Sequence, residues 1–479
     1  MEVVEYKDPG KPVHKLIEEQ ANKNPDKVAF VYEDGTKLTY SELVKRSKAV
    51  ANLLKEKGVQ KGDTVFLIMF NRPEFVTGLL GSLYAGARVV IADALTQKED
   101  LAFQLEDSKP KVVLADSEVL EREKETLKDY QVLTEDDLAK AQGEHEVEVD
   151  YEDDARIFYY AGIAGRTMQV IHSHRSFTGA IVPLVQAEGI EESDVSLVTV
   201  PLTHVLGLDA AFLSALVSGG TALLLKKFNM NKIKELAKEH KPTYIVAVPL
   251  VYQTMMKEDE EFVKELGKSL KWSMSGGAYL PPDDQKRWEE LTGKPLLQVY
   301  GMTEAPQIFA TTPQKHKIGS LGFPLPGVEA LLVDPDTLEI KEDQGELLVR
   351  GPQVMKGYPE EEENKKAFVE LQGKRWLRTG DILAKDEEGF YYFRGVRKRM
   401  LKYKGYPIFP RDLELILQKH PCVEEVTVEG EPAGEVGQIP VAKIKLKEEC
   451  KGKVSEKEIM DFVNSRVAAY KKVRKVVFL

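Results

Sequence analysis

The sequence predicts an α/β protein: a large amino-terminal domain of two parallel-rich sheets with helices and a small β-barrel, followed by a small α+β domain. Three observations lead there. At 479 residues the chain exceeds what one hydrophobic core usually serves. Short apolar runs alternate with amphipathic stretches in two separate blocks, and strands joined by helices make parallel sheets. From Leu321 to Gly351 the texture turns to short alternating strands broken by Pro324, Pro326 and Pro335, the pattern of a small barrel or sandwich.

In the first block, Thr39 with Glu42 makes a capping box, and Leu43, Val44, Val50, Ala51 and Leu54 recur at helical spacing until Gly58. Val65 to Met69 is a strand, Pro73 to Ala87 a helix, Arg88 to Ala92 a strand, Leu101 to Asp107 a helix and Lys111 to Ala115 a strand. The second block repeats the scheme with strands at Ser196 to Val200, Thr221 to Leu225 and Tyr244 to Val248. The acidic run Glu144 to Asp154 reads as an exposed connection. Near the end, Arg411 to Lys419 is helical, Val423 to Glu429 and Pro440 to Lys447 are strands, and Lys457 to Tyr470 is a last helix.

Hydrophobic residues make up 42% and charged residues 30%, a globular balance, and the net charge of −11 opposes nucleic-acid binding, which needs a basic field. The first twelve residues lack the apolar core of a signal peptide, and no apolar run approaches a membrane span. With only Cys422 and Cys450 present, a disulfide framework is not expected and a reducing cytoplasm fits.

The stretch around which the chain is organised is Gln298 to Gln307, QVYGMTEAPQ, read as a ligand-facing loop after the buried strand Pro295 to Val299. Ligands of parallel sheets bind at the carboxyl ends of the strands. Tyr300 offers a flat face, Gly301 a tight backbone, Thr303 a hydroxyl and Glu304 a hard oxygen ligand, a set that suits a purine, a phosphate and magnesium. A polar turn capping a strand is the competing reading of these residues alone. Asp381 in RTGD is suited to accept two ribose hydroxyls, or to cap a turn. Ser275, Gly276, Gly277 and Ala278 would let a backbone approach a flat base, or mark tight packing.

Together, YGMTE at Tyr300 to Glu304, RTGD at Arg378 to Asp381 and KYKGYPIFP at Lys402 to Pro410 make the chain resemble the adenylate-forming superfamily of acyl-CoA synthetases, aryl-CoA ligases, luciferases and adenylation domains. The resemblance runs from about Val13 to Leu479. It implies an AMP-binding domain over residues 1–393, a hinge at 394–404 and a mobile lid at 405–479. It also implies ATP or AMP and Mg²⁺ as ligands and CoA as co-substrate, with a carboxylic acid, a fatty acid first, as the group activated. Thr303, Glu304, His204 and Lys398 would serve the chemistry, Glu304 holding the metal. Gly162, Gly165, Gly276 to Ala278, Tyr300, Gly301, Met302, Thr303, Asp381 and Lys402 would line the cofactor. His204, in PLTHVLGL, would face the carboxylate, although a lone His on an apolar segment is also an ordinary core residue. A homodimer is left open.

Three departures from the family pattern bear on activity. In YYAGIAGRTMQVIHSH, Tyr159 to His174, the two glycines are kept. The hydroxyl positions have become Ala161, Ile163 and Ala164, the lysine position Met168, and a neighbouring glycine Gln169. At the hinge, Val396 stands where the family has an arginine. The sequence stops at VRKVVFL, before the family's terminal catalytic lysine, so the lid is expected to be short. Losing one charge-stabilising donor typically costs about 100-fold to 1,000-fold in turnover. The expectation is therefore an acyl-CoA synthetase with impaired adenylation. Its rival is a catalytically silent relative that binds nucleotide, CoA or an acyl chain as a sensor or partner subunit.

Overall fold

A computed structural model describes residues 3–96, 98–160, 167–404, 406–467 and 469–479. They form two compact units, Met1–Ala330 with Val349–Leu377, and Leu331–Leu348 with Arg378–Leu479.

The first unit carries two large sheets. One has nine strands. From one edge these are Phe323–Pro324, Ala305–Ala310, Leu296–Met302, Trp272–Ser275, Tyr244–Ala247, Val195–Val198, Thr221–Leu224, Val28–Tyr32 and Lys37–Thr39. Its central strands pair in parallel and are buried almost throughout, as expected of a parallel sheet covered on both faces. The other has six strands: Val132–Leu133, Val112–Ala115, Thr64–Ile68, Arg88–Ile91, Asp154–Tyr160 and Met168–Ser173. Only the last pairing in it is antiparallel. That hairpin flanks residues 161–166, so Gly162 and Gly165 lie outside the described residues. Thr39 caps the helix Tyr40–Glu56 by accepting from the Glu42 amide at 3.1 Å.

Three local readings change. QVYGMTEAPQ is not an open loop: the strand Leu296–Met302 runs through it and turns back on Ala305–Ala310, with Met302 opposite Ala305. The apolar residues Ile308 and Phe309, both fully buried, complete a second strand and leave only Thr303 and Glu304 at the turn. RTGD is likewise part of one long strand, Lys374–Lys385, where Asp381 lies opposite Val396 of Tyr391–Val396. The expected last helix stops at Asn464, whose side chain accepts from the Val473 amide and donates to its carbonyl, both at 2.8 Å.

In the second unit, Val423–Pro432 and Gln438–Leu446 form a hairpin, and Lys475–Phe478 adds in parallel. Helices Pro410–Leu417 and Glu456–Asn464 bury Leu413, Leu417, Ile459 and Val463 against Val428, Ala442 and Ile444. The cysteine expectation is corrected here: Cys422 and Cys450 are joined by a disulfide. They are 28 residues apart, but the hairpin sets Val423 opposite Leu446 and so brings their Cα atoms to 5.6 Å. Among the described residues no helix is long and apolar enough to cross a membrane.

Candidate active site

The turn at Thr303 and Glu304 is held from behind by groups outside its own sequence. His172, wholly buried on the strand Met168–Ser173, faces the Thr303 carbonyl through Nε2 at 2.8 Å and the Ser176 hydroxyl through Nδ1 at 3.0 Å. A carbonyl only accepts, so Nε2 carries a proton. Burial, with the Arg156 charge second, lowers the ring's pKa to about 3 and so keeps it neutral, which leaves Nδ1 to accept from Ser176. Glu304 has no exposed surface. Its Oε1 accepts from the Tyr358 hydroxyl at 3.0 Å, and its carbonyl accepts from the Met355 amide at 2.7 Å. Burial and this carboxylate together push the Tyr358 hydroxyl far above its ordinary pKa.

Gly301 is required by the hairpin, since a Cβ there would fall 2.3 Å from the Gln307 nitrogen. The Tyr300 ring stacks on Phe309 with centroids 5.9 Å apart and stays half-buried. Beside it, Gly276 is buried with no room for a side chain: a Cβ would stand 2.7 Å from Val299 and 3.0 Å from Leu206. Gly277 and Ala278 are exposed. Gln307 donates to the Val205 carbonyl at 3.4 Å. The structure thus gathers the predicted residues Tyr300 to Glu304, Gly276 to Ala278 and the segment around His204 at the carboxyl ends of neighbouring strands.

His204 is no core residue. Its side chain is 58% exposed and its Nε2 lies 3.2 Å from Asp93 at the end of the strand Arg88–Ile91. That hydrogen bond holds the Asp93 carboxyl below the usual carboxylate range. The segment continues as a π-helix, Leu206–Leu213, a geometry common at functional sites.

Met168 is buried at 3% exposure and carries no charge. Gln169 donates to Asp107 at 2.8 Å, and the Tyr159 hydroxyl donates to the same carboxylate oxygen at 2.7 Å. In the second unit, the Asp381 amide donates to the Thr379 hydroxyl at 3.1 Å, and Arg378 binds Glu346 through two nitrogens. Arg397 turns to Asp336 at 3.8 Å and Glu346 at 4.0 Å. Lys402 binds Asp336 at 2.6 Å, and Lys398 is exposed in the 3-10 turn Arg397–Arg399.

Among the described residues no three His, Cys, Asp or Glu side chains cluster as a metal site. Magnesium needs no such cage. It binds through one or two carboxylates with phosphates and waters, and a carboxylate that accepts from Tyr358 still has lone pairs for a cation. Glu304 is a ligand of that type, although its side chain has no exposed surface in this arrangement.

His172, Tyr358, Asp93 and the pair Arg156 and Asp209 escaped the sequence reading. His172 lies in the alternating stretch QVIHSH, which could have placed it inward, while Tyr358 lies 54 residues from its partner and gave no signal.

The sequence pattern of the AMP-binding enzyme family matches residues 17–359, and that of the AMP-binding enzyme C-terminal domain matches 412–479. The chain belongs to this adenylate-forming family. It is 31% identical over 482 residues to probable CoA ligase CCL5 of Humulus lupulus, covering 95% of this chain and 87% of that one. It is also similar to the long-chain-fatty-acid–CoA ligase of Bacillus subtilis, at 29% identity over 97% of this chain and 90% of that one. The fold superposes on o-succinylbenzoate CoA synthetase (MenE) of Bacillus subtilis in complex with ATP and magnesium, with TM-score 0.85, 30% identity and 98% and 96% of the two chains covered.

Proposed function

We propose that this chain is an acyl-CoA ligase. The carboxylate oxygen of an acid would attack the α-phosphorus of ATP and expel pyrophosphate. The thiol of CoA would then attack the acyl carbon, expel AMP and lose its proton to solvent. The observation that carries the reading is the braced turn, Thr303 on His172 and Glu304 on Tyr358, in a family member whose relatives are CoA ligases. Thr303 would bind phosphate and Glu304 would hold Mg²⁺, which neutralises phosphate charge when bound. Tyr300 and Gly276 to Ala278 would take the adenine, Asp381 the ribose and His204 the acid. Nothing in these roles needs a covalent nucleophile; positioning and electrostatics supply the rate. Residues 394–404 would be the hinge, about Lys398, with Lys402 following it and 405–479 as the lid. Fatty acids are the first class of acid to test, and the cytoplasm is the compartment we propose, although a bond such as Cys422–Cys450 is uncommon under its reducing conditions.

Impaired adenylation is part of the reading. Met168 offers an apolar, buried side chain, Val396 opposite Asp381 offers no hydrogen bond, and Arg397 is engaged by Asp336 and Glu346. These features also favour a second reading, a silent nucleotide- or acyl-binding protein. The deciding experiment compares acid-dependent ATP–pyrophosphate exchange over a panel of acids with transfer from pre-formed acyl-adenylate to CoA. The isolated transfer should exceed overall synthesis by more than roughly tenfold, a barrier difference of about 1.4 kcal/mol. Neither reaction above background, with AMP still bound, would establish the silent protein instead.

A further inference from the structure

The π-helix Leu206–Leu213 is held by a contact that the reaction scheme does not use. Asp209, in its first turn, forms a two-point ion pair with Arg156 of the strand Asp154–Tyr160, at 2.5 and 2.8 Å. Both side chains are 0% exposed. The guanidinium lies over the Phe177 ring at 3.9 Å and faces Phe158 at 5.1 Å, so its surroundings are aromatic and dry. A buried pair of this kind gives little net stability against an apolar pair of equal volume, because both ions lose their hydration. Its best-attested use is to specify one register among several.

Register is what this segment has to specify. A π-turn carries one residue more than an α-turn, and competes with the ordinary helix. Two hydroxyls meet the carbonyls of the widened turn: Ser196, from a neighbouring strand, donates to Ala211 at 2.6 Å, and Ser214 donates to Ala210 at 2.6 Å. At its start the helix is jammed against the strand end, since a Cβ on Gly207 would fall 2.1 Å from the Pro201 oxygen. The His204 carbonyl accepts from the Leu208 amide at 2.9 Å, so His204 is wound onto the same turn. A shift of one residue at Asp209 therefore moves Leu206 away from Gly276 and turns His204 from Asp93.

We propose that Arg156 is a positioning residue for the acid: by gripping Asp209 it fixes the π register of 206–213, and with it the placement of His204 and Leu206. The inference rests on the acyl-CoA ligase reading for its kinetic consequence but not for its structural one. The test uses the full chain with Arg156→Met/Asp209→Leu, an apolar pair that leaves no unpartnered buried ion, and Asp209→Asn, which keeps the shape and drops the charge. Amide exchange in 206–213 should accelerate at least tenfold in the double variant and also in Asp209→Asn, which leaves the buried Arg156 ion without its counter-ion, while Val195–Val198 keeps its protection. The KM for the acid should rise at least tenfold with the KM for ATP within twofold. Parent-like exchange in 206–213 in the double variant overturns the proposal, as does an equal rise in both KM values. If the double variant does not fold, Asp209→Asn decides by the same exchange readout. Absence of any turnover in the parent refutes the ligase reading and leaves the exchange result to judge the positioning role.

Discussion

Breaking the Cys422–Cys450 bond should loosen the carboxyl-terminal sheet by a calculable amount. The bond closes a loop spanning 28 residues. For that length, loop closure removes about 12 cal/mol/K of entropy from the unfolded chain, or about 3.6 kcal/mol at 25 °C. Opening of the sheet should thus become roughly 400-fold more favourable once the bond is cut. The assay is hydrogen exchange of the full-length protein, followed at the amides of Val423–Pro432 and Gln438–Leu446, in the oxidised form, after thiol reduction and in Cys422→Ser/Cys450→Ser. The reduced form and the double variant should agree with each other and lose protection together. A loss under about tenfold (1.4 kcal/mol) would refute the loop argument. Equal loss in Val195–Val198 of the first unit would show a global effect in place of a local one.

Other outcomes follow from buried groups. Glu188 is 9% exposed, neither carboxylate oxygen has a hydrogen-bond partner among the described residues, and burial raises its pKa well above the ordinary value. Such a group stabilises the fold fully only below its unfolded pKa and loses that contribution as pH rises, so Glu188→Met should raise stability by about 1–3 kcal/mol, more at pH 8 than at pH 4 by chemical denaturation. His172 and His174 are the opposite case, held neutral with pKa values lowered by burial to about 3 and about 4 from 6.5, and His14 is shifted the same way. The unfolded chain takes up their protons first. Stability should therefore fall between pH 6.5 and 4 by about 1.4 kcal/mol per pH unit for each, and His174→Phe should flatten the slope measured by urea unfolding. Tyr358→Phe removes the hydroxyl from Glu304 and should cost about 1.5–3 kcal/mol by the same measurement, where a cost under about 0.5 would mean that Oε1 is satisfied without it.

What the sequence made legible was whatever repeats along the chain. Runs such as VVLA and YIVA announce buried parallel strands because both faces are covered, and Pro73 and Gly58 punctuate helices through backbone rules that act over one or two residues. The motif residues stood out because their order is unusual for a core. The partners that shape them did not. The Glu304–Tyr358 and His172–Thr303 contacts span 54 and 131 residues. Arg156 and Asp209 each look misplaced inside an apolar segment until the fold sets them against each other, 53 residues apart. The disulfide was missed for a related reason, since only strand register brings Cys422 to Cys450. QVYGMTEAPQ was misread as a loop because its glycine and polar residues suggest a break, whereas Ile308 and Phe309 beyond the turn restore the strand.

These distant braces separate the shape of the motif from the strength of the reaction. The Thr303 carbonyl is fixed by His172, and Glu304 by Tyr358, and neither contact passes through Met168 or Val396. On the proposed reading, the turn would keep its geometry even with a weakened cationic grip on a triphosphate. Hydrogen bonds from the neutral donors His172 and Tyr358 do not depend on such a cation, whereas charge stabilisation of phosphoryl oxygens needs one at the right place. On the proposed reading, AMP and acyl-adenylate would use the braced turn and the small-residue strand end, and ATP would gain little beyond them. A structure that looks fully equipped at YGMTE is thus compatible with weak adenylation, because the residues that preserve the look are not the ones that would drive the first step.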